Sequence, residues 1–222
     1  MNLAEKINVM RASVMGANDG ILSVAGIVIG VAGATSNSHA ILLSGLSGML
    51  AGTVSMAMGE YVSVNAQRDG EKNAVIKESR ALDNDFDQEV AFIQQQYIDT
   101  GISADLAAQA ASEMMADDPL STAVRERYGF DRHEKTSAIA AAMASMISFP
   151  IGSILPLVAI GFFPAAIRVW ATVCAVIIAL TITGYTAAAL GNANRWRAAL
   201  RNIVSGLLTM AVTYFVGTLF AH

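Results

Sequence analysis

Apolar residues along the chain fall into five long runs, 12–34, 40–64, 138–163, 169–190 and 203–221, separated by "TSNSH", "PAAIR", "GNANRWRAALR" and one long polar insert. A hydrocarbon core about 30 Å thick needs roughly 20 apolar residues per helix, so each run is long enough to span. The pattern predicts an all-α membrane protein of five transmembrane helices, with a small helical module between the second and third. Three segments follow: 1–64 with the first two spans, 65–137 as the extramembrane module, and 138–222 with the last three spans. The first run has no small-residue cleavage pattern after it and reads as a retained span rather than a signal peptide.

Within the insert, 67–82 and 86–99 read as polar helices, with Gly101 ending the second and Ser103 capping a third over 103–115. "DDP" breaks the chain at Pro119, and a short fourth helix is expected over 121–128. A unit of this size has a modest core, so packing on a second copy is expected to help it.

Composition agrees with the pattern: of 222 residues 54% are apolar and only 14% charged, against about a quarter charged in a soluble domain. One cysteine, Cys174, excludes a disulfide framework within the chain. Fifteen of the eighteen acidic residues lie between Asp69 and Glu134, leaving Glu5, Asp19 and Glu60 outside the insert. Placing the N-terminus in the cytoplasm puts thirteen basic residues inside against Arg168 alone outside, and five against one without the insert. The positive-inside rule therefore orients the N-terminus and the module to the cytoplasm, and the C-terminus with His222 outside.

Three features carry candidate chemistry. "GANDG" sets Asp19 inside the first span, where a carboxylate costs several kcal/mol unless it meets water, a partner or an ion; the alternative is a cap at a helix broken by Gly16 or Gly20. In the second span "SMAMGEYVSV" stacks Met56 and Glu60 on one face, four residues apart, with Met58 pointing elsewhere. A thioether beside a carboxylate suits a borderline divalent transition metal better than Mg²⁺ or Ca²⁺; alternatively Met56 fills a gap and Glu60 snorkels to the surface. In the insert "EMMADD", Glu113 to Asp118, repeats a methionine-plus-carboxylate cluster, although acidic faces on small helices are usually solvated surface. Pairs of glycines four apart, such as Gly16 and Gly20, allow close helix approach.

Other chemistries lack their residues. His39, His133 and His222 are scattered, so neither a zinc protease motif nor a Ser–His pair can be assembled. No phosphate-binding glycine loop and no basic aromatic face for nucleic acid are present, and an iron oxidase of ferritin type would need Glu-x-x-His pairs. The chain is not expected to be an enzyme.

"GANDGILS", "AGTVSMAMGEYVSVNAQRD" and a polar helical module before three further spans together resemble a bacterial member of the vacuolar iron transporter family, over essentially the whole chain. The resemblance implies a homodimer in a bacterial inner membrane that exports Fe²⁺, with Mn²⁺ as a second substrate, in exchange for protons and with no tightly bound cofactor. Zn²⁺ would serve as a surrogate ion. Asp19 and Met56 would line the path and Glu60 its cytoplasmic mouth. Glu78 and Glu89 match the first Glu of two metal-capturing Glu-x-x-Glu pairs, and Met114, Met115 and Asp118 match a third motif. Ala81 and Phe92 stand where the second Glu of each pair would be, leaving Glu71, Asp85 or Glu113 to substitute, or a module that binds fewer ions more weakly. The competing expectation is a membrane-anchored protein whose module buffers iron without transport.

Overall fold

The computed structural model describes residues 3–134 and 136–221, and among these all regular structure is helical. Eight helices are present in chain order: α1 (Leu3–Ala34), α2 (Ser38–Asn84), α3 (Phe86–Asp99), α4 (Ala104–Asp117), α5 (Pro119–Tyr128), α6 (Ala138–Phe162), α7 (Arg168–Leu190) and α8 (Arg195–Leu219). Five of them, α1, α2, α6, α7 and α8, are long and apolar enough to cross a membrane. The chain divides into two units: a bundle of Lys6–Val62 with Ala138–His222, and a module built on Ser63–Ser137.

Three helix boundaries differ from those read off the apolar runs, for one reason: hydropathy measures the thickness of the membrane, not the length of the helix. α1 begins at Leu3 rather than near residue 12, because "AEKINVMR" contains nothing that stops a helix. α8 begins at Arg195 rather than near residue 203, since Asn194 caps it by accepting from the Arg197 N–H at 3.0 Å and "RWRAALR" is made of good helix formers. The second span and the first module helix are one helix of 47 residues; Gly70 interrupts its polar half, and a single glycine costs only about 1 kcal/mol. At α5 the break seen in "DDP" is also a start, with Pro119 in the first turn, where its missing N–H would be unpaired in any case.

Within the bundle α1 is the central helix. Its buried face, Gly16, Gly20, Ile21, Val24, Ala25 and Val28 among others, joins a core with Ile41 of α2, Phe149 and Leu157 of α6, Val176 and Leu180 of α7 and Met210 of α8. The crossing of α1 and α6 is close enough to exclude side chains. A Cβ on Gly20 would stand 2.1 Å from the Phe149 carbonyl oxygen, and one on Gly152 would stand 2.1 Å from that of Ala17. The Ser153 hydroxyl lies between the helices, 2.8 Å from the Phe149 carbonyl and 3.2 Å from that of Gly20, and donates to one or the other.

Arg168, the basic residue that ran against the charge bias, is buried and has a structural task. Its guanidinium donates to the Ser36 carbonyl at 3.0 Å and the Ser38 hydroxyl at 2.9 Å, across the turn from α1 to α2. A cation just past the C-terminal end of α1 also meets the negative end of that helix's dipole.

Replacing Gly20 by Val should destabilise the detergent-solubilised chain by about 1–3 kcal/mol or more, the usual cost of overpacking. Gly59→Ala, where an added Cβ meets nothing within 4 Å, serves as the control and should leave thermal unfolding unchanged or slightly raised.

Candidate functional site

In the bundle, "GANDG" occupies an unbroken stretch of α1, so Asp19 does not cap a broken helix. The two polar residues of the motif diverge. Asn18 turns into the bundle, where its side-chain oxygen accepts from Asn202 of α8 at 3.0 Å and is 3.4 Å from the Thr183 hydroxyl of α7. Asp19 is half-buried and accepts from the Ser23 hydroxyl one turn on, at 2.9 Å. Among the described residues it has no cationic partner.

On α2, Met56 is half-buried and packs against the bundle core, while Met58 is exposed. Glu60 does not snorkel to the surface. It is 5% exposed and takes a hydrogen-bonded ion pair from Arg11 of α1 at 3.0 Å. The structure thus brings Glu60 to Arg11, and among the described residues it brings no counter-charge to Asp19.

In the module, Glu78 of α2 and Glu89 of α3 come together, and Arg127 of α5 lies between them. Its Nε is 3.2 Å from Glu78 Oε2, and its Nη2 donates to Glu89 Oε2. Phe92 supports the guanidinium from one face, with the Arg127 carbon 3.8 Å from the ring centre, a distance at which the ring quadrupole attracts the cation. Both carboxylates are buried, Glu78 almost completely. Burial pushes the Glu78 carboxyl above its ordinary range; Arg127 opposes the shift and the adjacent Glu89 adds to it.

The remaining candidates have other partners. Met115 is buried in a small core with Ile93, Ala111 and Ala123 and so stands apart from the carboxylates of "EMMADD". Met114 receives a hydrogen bond from the Tyr97 hydroxyl at its sulfur, 3.1 Å away. Asp118 caps α5 by accepting from the Ser121 N–H at 3.0 Å, and it pairs with Arg132 at 3.1 Å. Those bonds, led by the Ser121 hydroxyl, bring its carboxyl down to about 2. Glu71 accepts from Gln67 and Glu113 from Gln109, each one turn away on an exposed face, and Asp85 caps α3 through the Gln88 N–H. Among the described residues no three His, Cys, Asp or Glu side chains are gathered as for a metal ion.

Sequence reading passed over Arg127, Arg11 and Asn18. A signal for the first two existed: carboxylates at positions that a helical pattern buries require counter-charges, and the arginines able to reach them were few.

The VIT family profile matches residues 10–218 of the chain. Vacuolar iron transporter homolog 1 of Oryza sativa subsp. japonica is 36% identical over 221 residues, covering 99% of this chain and 77% of that protein. Homolog 2 of the same plant is 36% identical over 213 residues, covering 96% and 90%. The vacuolar iron transporter of Acanthamoeba castellanii (strain ATCC 30010 / Neff) is 33% identical over 214 residues, covering 95% and 78%. These relatives are plant and amoebal, so the expected bacterial origin, and a bacterial inner membrane with it, finds no support in them.

Two outcomes test this geometry. Because the Asp118 carboxyl sits below its unfolded range, its contribution to stability is present above that range and is lost as pH falls through about 2. Asp118→Ala should therefore lower module stability at neutral pH, with the difference from the unaltered chain vanishing in acid unfolding curves near pH 2. Glu60→Ala should destabilise the bundle by about 1 kcal/mol, since it removes a hydrogen-bonded ion pair between α1 and α2 whose arginine is half exposed; thermal unfolding in detergent reads the loss.

Proposed function

We propose that this chain, which belongs to the VIT family, moves Fe²⁺ out of the cytosol in exchange for protons, with Mn²⁺ as a second substrate. Family membership makes it a multi-pass membrane protein of metal-ion transport. The observation that carries the finer reading is the contrast between two membrane carboxylates. Glu60 is neutralised by Arg11, whereas Asp19 has, among the described residues, the Ser23 hydroxyl and no cation. A carboxylate set in a membrane helix without a counter-charge is costly to keep, and an ion or proton that neutralises it in passing turns that cost into function.

Asp19 is then the point at which metal and proton compete. Protonation removes the charge that holds the cation and favours release toward the more acidic side, while deprotonation on the cytosolic side restores the ligand. Met56 supplies a soft thioether on the neighbouring span, suited to Fe²⁺ or Mn²⁺ over Mg²⁺. Glu60 would mark the cytosolic mouth, opened and closed by its pairing with Arg11. The metal is cargo and no resident cofactor is assigned.

Topology follows the charge bias, with the N-terminus and module in the cytosol. A second copy of the chain is the proposed partner for α2, whose span exposes Leu43, Leu46, Leu50, Val54 and Met58 along one flank.

Proteoliposomes of the full chain should show Fe²⁺ flux that rises with an imposed pH gradient. Asp19→Asn should reduce flux to that of empty liposomes, and Met56→Ala should weaken it while shifting selectivity away from soft ions. Undiminished flux in Asp19→Asn would remove Asp19 from the path; metal binding with no flux in the unaltered chain would favour a membrane-anchored iron buffer.

A further inference from the structure

We propose that Arg127 is a built-in counter-cation that competes with divalent metal for Glu78 and Glu89, so that the module takes up cargo only when the guanidinium swings away. This rests on the reading of the chain as a divalent-metal carrier; the geometry itself does not.

With both carboxylates ionised, one guanidinium leaves one negative charge in a buried place. Arg127 donates a hydrogen bond to Glu89 Oε2 and forms an ion pair with Glu78 Oε2, whereas Oε1 of Glu78, on a residue 1% exposed, and the buried Tyr128 hydroxyl that feels the Glu78 charge have no hydrogen-bond partner among the described residues. An unpaired buried charged oxygen is expensive. A divalent cation would neutralise the pair completely and could engage the oxygen that the arginine leaves idle. The guanidinium is held rather than trapped. One face lies on Phe92, about a third of the side chain is exposed, and a cavity of 530 Å³ bounded by Gln88, Glu89, Ala91, Phe92 and Arg127 lies beside it.

Competition of this kind sets a threshold. The module keeps its fold while metal is scarce, because α2, α3 and α5 are already joined through Arg127. Metal must supply more than the forked ion pair and the ring contact together before it displaces the arginine. Phe92 is then a specificity residue: it adds no ligand to the metal, but stabilises its rival.

The test uses the full chain in detergent with Mn²⁺ as probe, free ion followed by electron paramagnetic resonance and helix protection by hydrogen exchange. Arg127→Gln should bind Mn²⁺ about tenfold or more tightly than the unaltered chain, and adding Glu89→Gln should abolish the gain, which separates the module from the membrane path. Hydrogen exchange covers a variant that loosens. If residues 78–128 exchange faster in Arg127→Gln, Mn²⁺ should restore their protection. Affinity unchanged or weaker in Arg127→Gln with the module still protected would overturn the proposal, as would a loosened module that Mn²⁺ does not protect. Absence of Fe²⁺ flux by the unaltered chain in liposomes would instead sink the transport reading, and the Mn²⁺ comparison would still judge Arg127.

Discussion

Taking a carboxylate out of water costs several kcal/mol unless a counter-charge comes with it, and this chain meets that demand with arginine. Arg11 comes to Glu60 inside the bundle and Arg127 to Glu78 and Glu89 inside the module, while Arg132 pairs with the part-exposed capping carboxylate of Asp118. Each pair also joins separate helices or turns: α1 to α2, α5 to α2 and α3, the start of α5 to the segment after it. Charge neutralisation and tertiary connection are therefore the same set of contacts. Asp19 stands apart, because the nearest help it receives is a hydroxyl on its own helix.

The position of α1 makes that exception consequential. The helix is the bundle's central element, approached by α6 at Gly20, by α7 and α8 at Asn18, and by α2 through the pair of Arg11 with Glu60. A helix so tightly enclosed cannot relocate a misfitting side chain, so a carboxylate whose partner is a hydroxyl of its own helix is held where its surroundings put it. The hydrogen-bonded Asn18 next door fixes the turn that presents it.

The spans were legible because apolar runs of about 20 residues match the thickness of a bilayer and are uncommon in soluble helices. Asp19 stood out as a candidate because a carboxylate is rare within such a run. Helix ends were not. Hydropathy ceases at the membrane surface while backbone hydrogen bonding continues, so Leu3–Arg11 and Arg195–Arg201 were hidden from a pattern based on apolar runs, as was the continuity of the polar helix over 67–82 with the second span. Within the candidate site, residue types were readable and partners were not. Glu78 and Glu89 come from helices of different chain segments, and the arginine between them arrives from 38 residues beyond Glu89. Met115 shows the same limit from the other side: "MM" in an acidic stretch reads as exposed, yet helical geometry sends one methionine to the core and the other to a tyrosine hydroxyl.

The two kinds of carboxylate suit two kinds of work. A transport site must bind weakly enough to let its ion go, and a permanent arginine there would exclude the cation altogether. The module must stay folded, and a buried carboxylate pair with no counter-charge would oppose folding. An internal guanidinium answers the second need and would defeat the first. Arginine set against Glu78 and Glu89 but not against Asp19 is thus the arrangement that the proposed transport path and the proposed competition in the module both require.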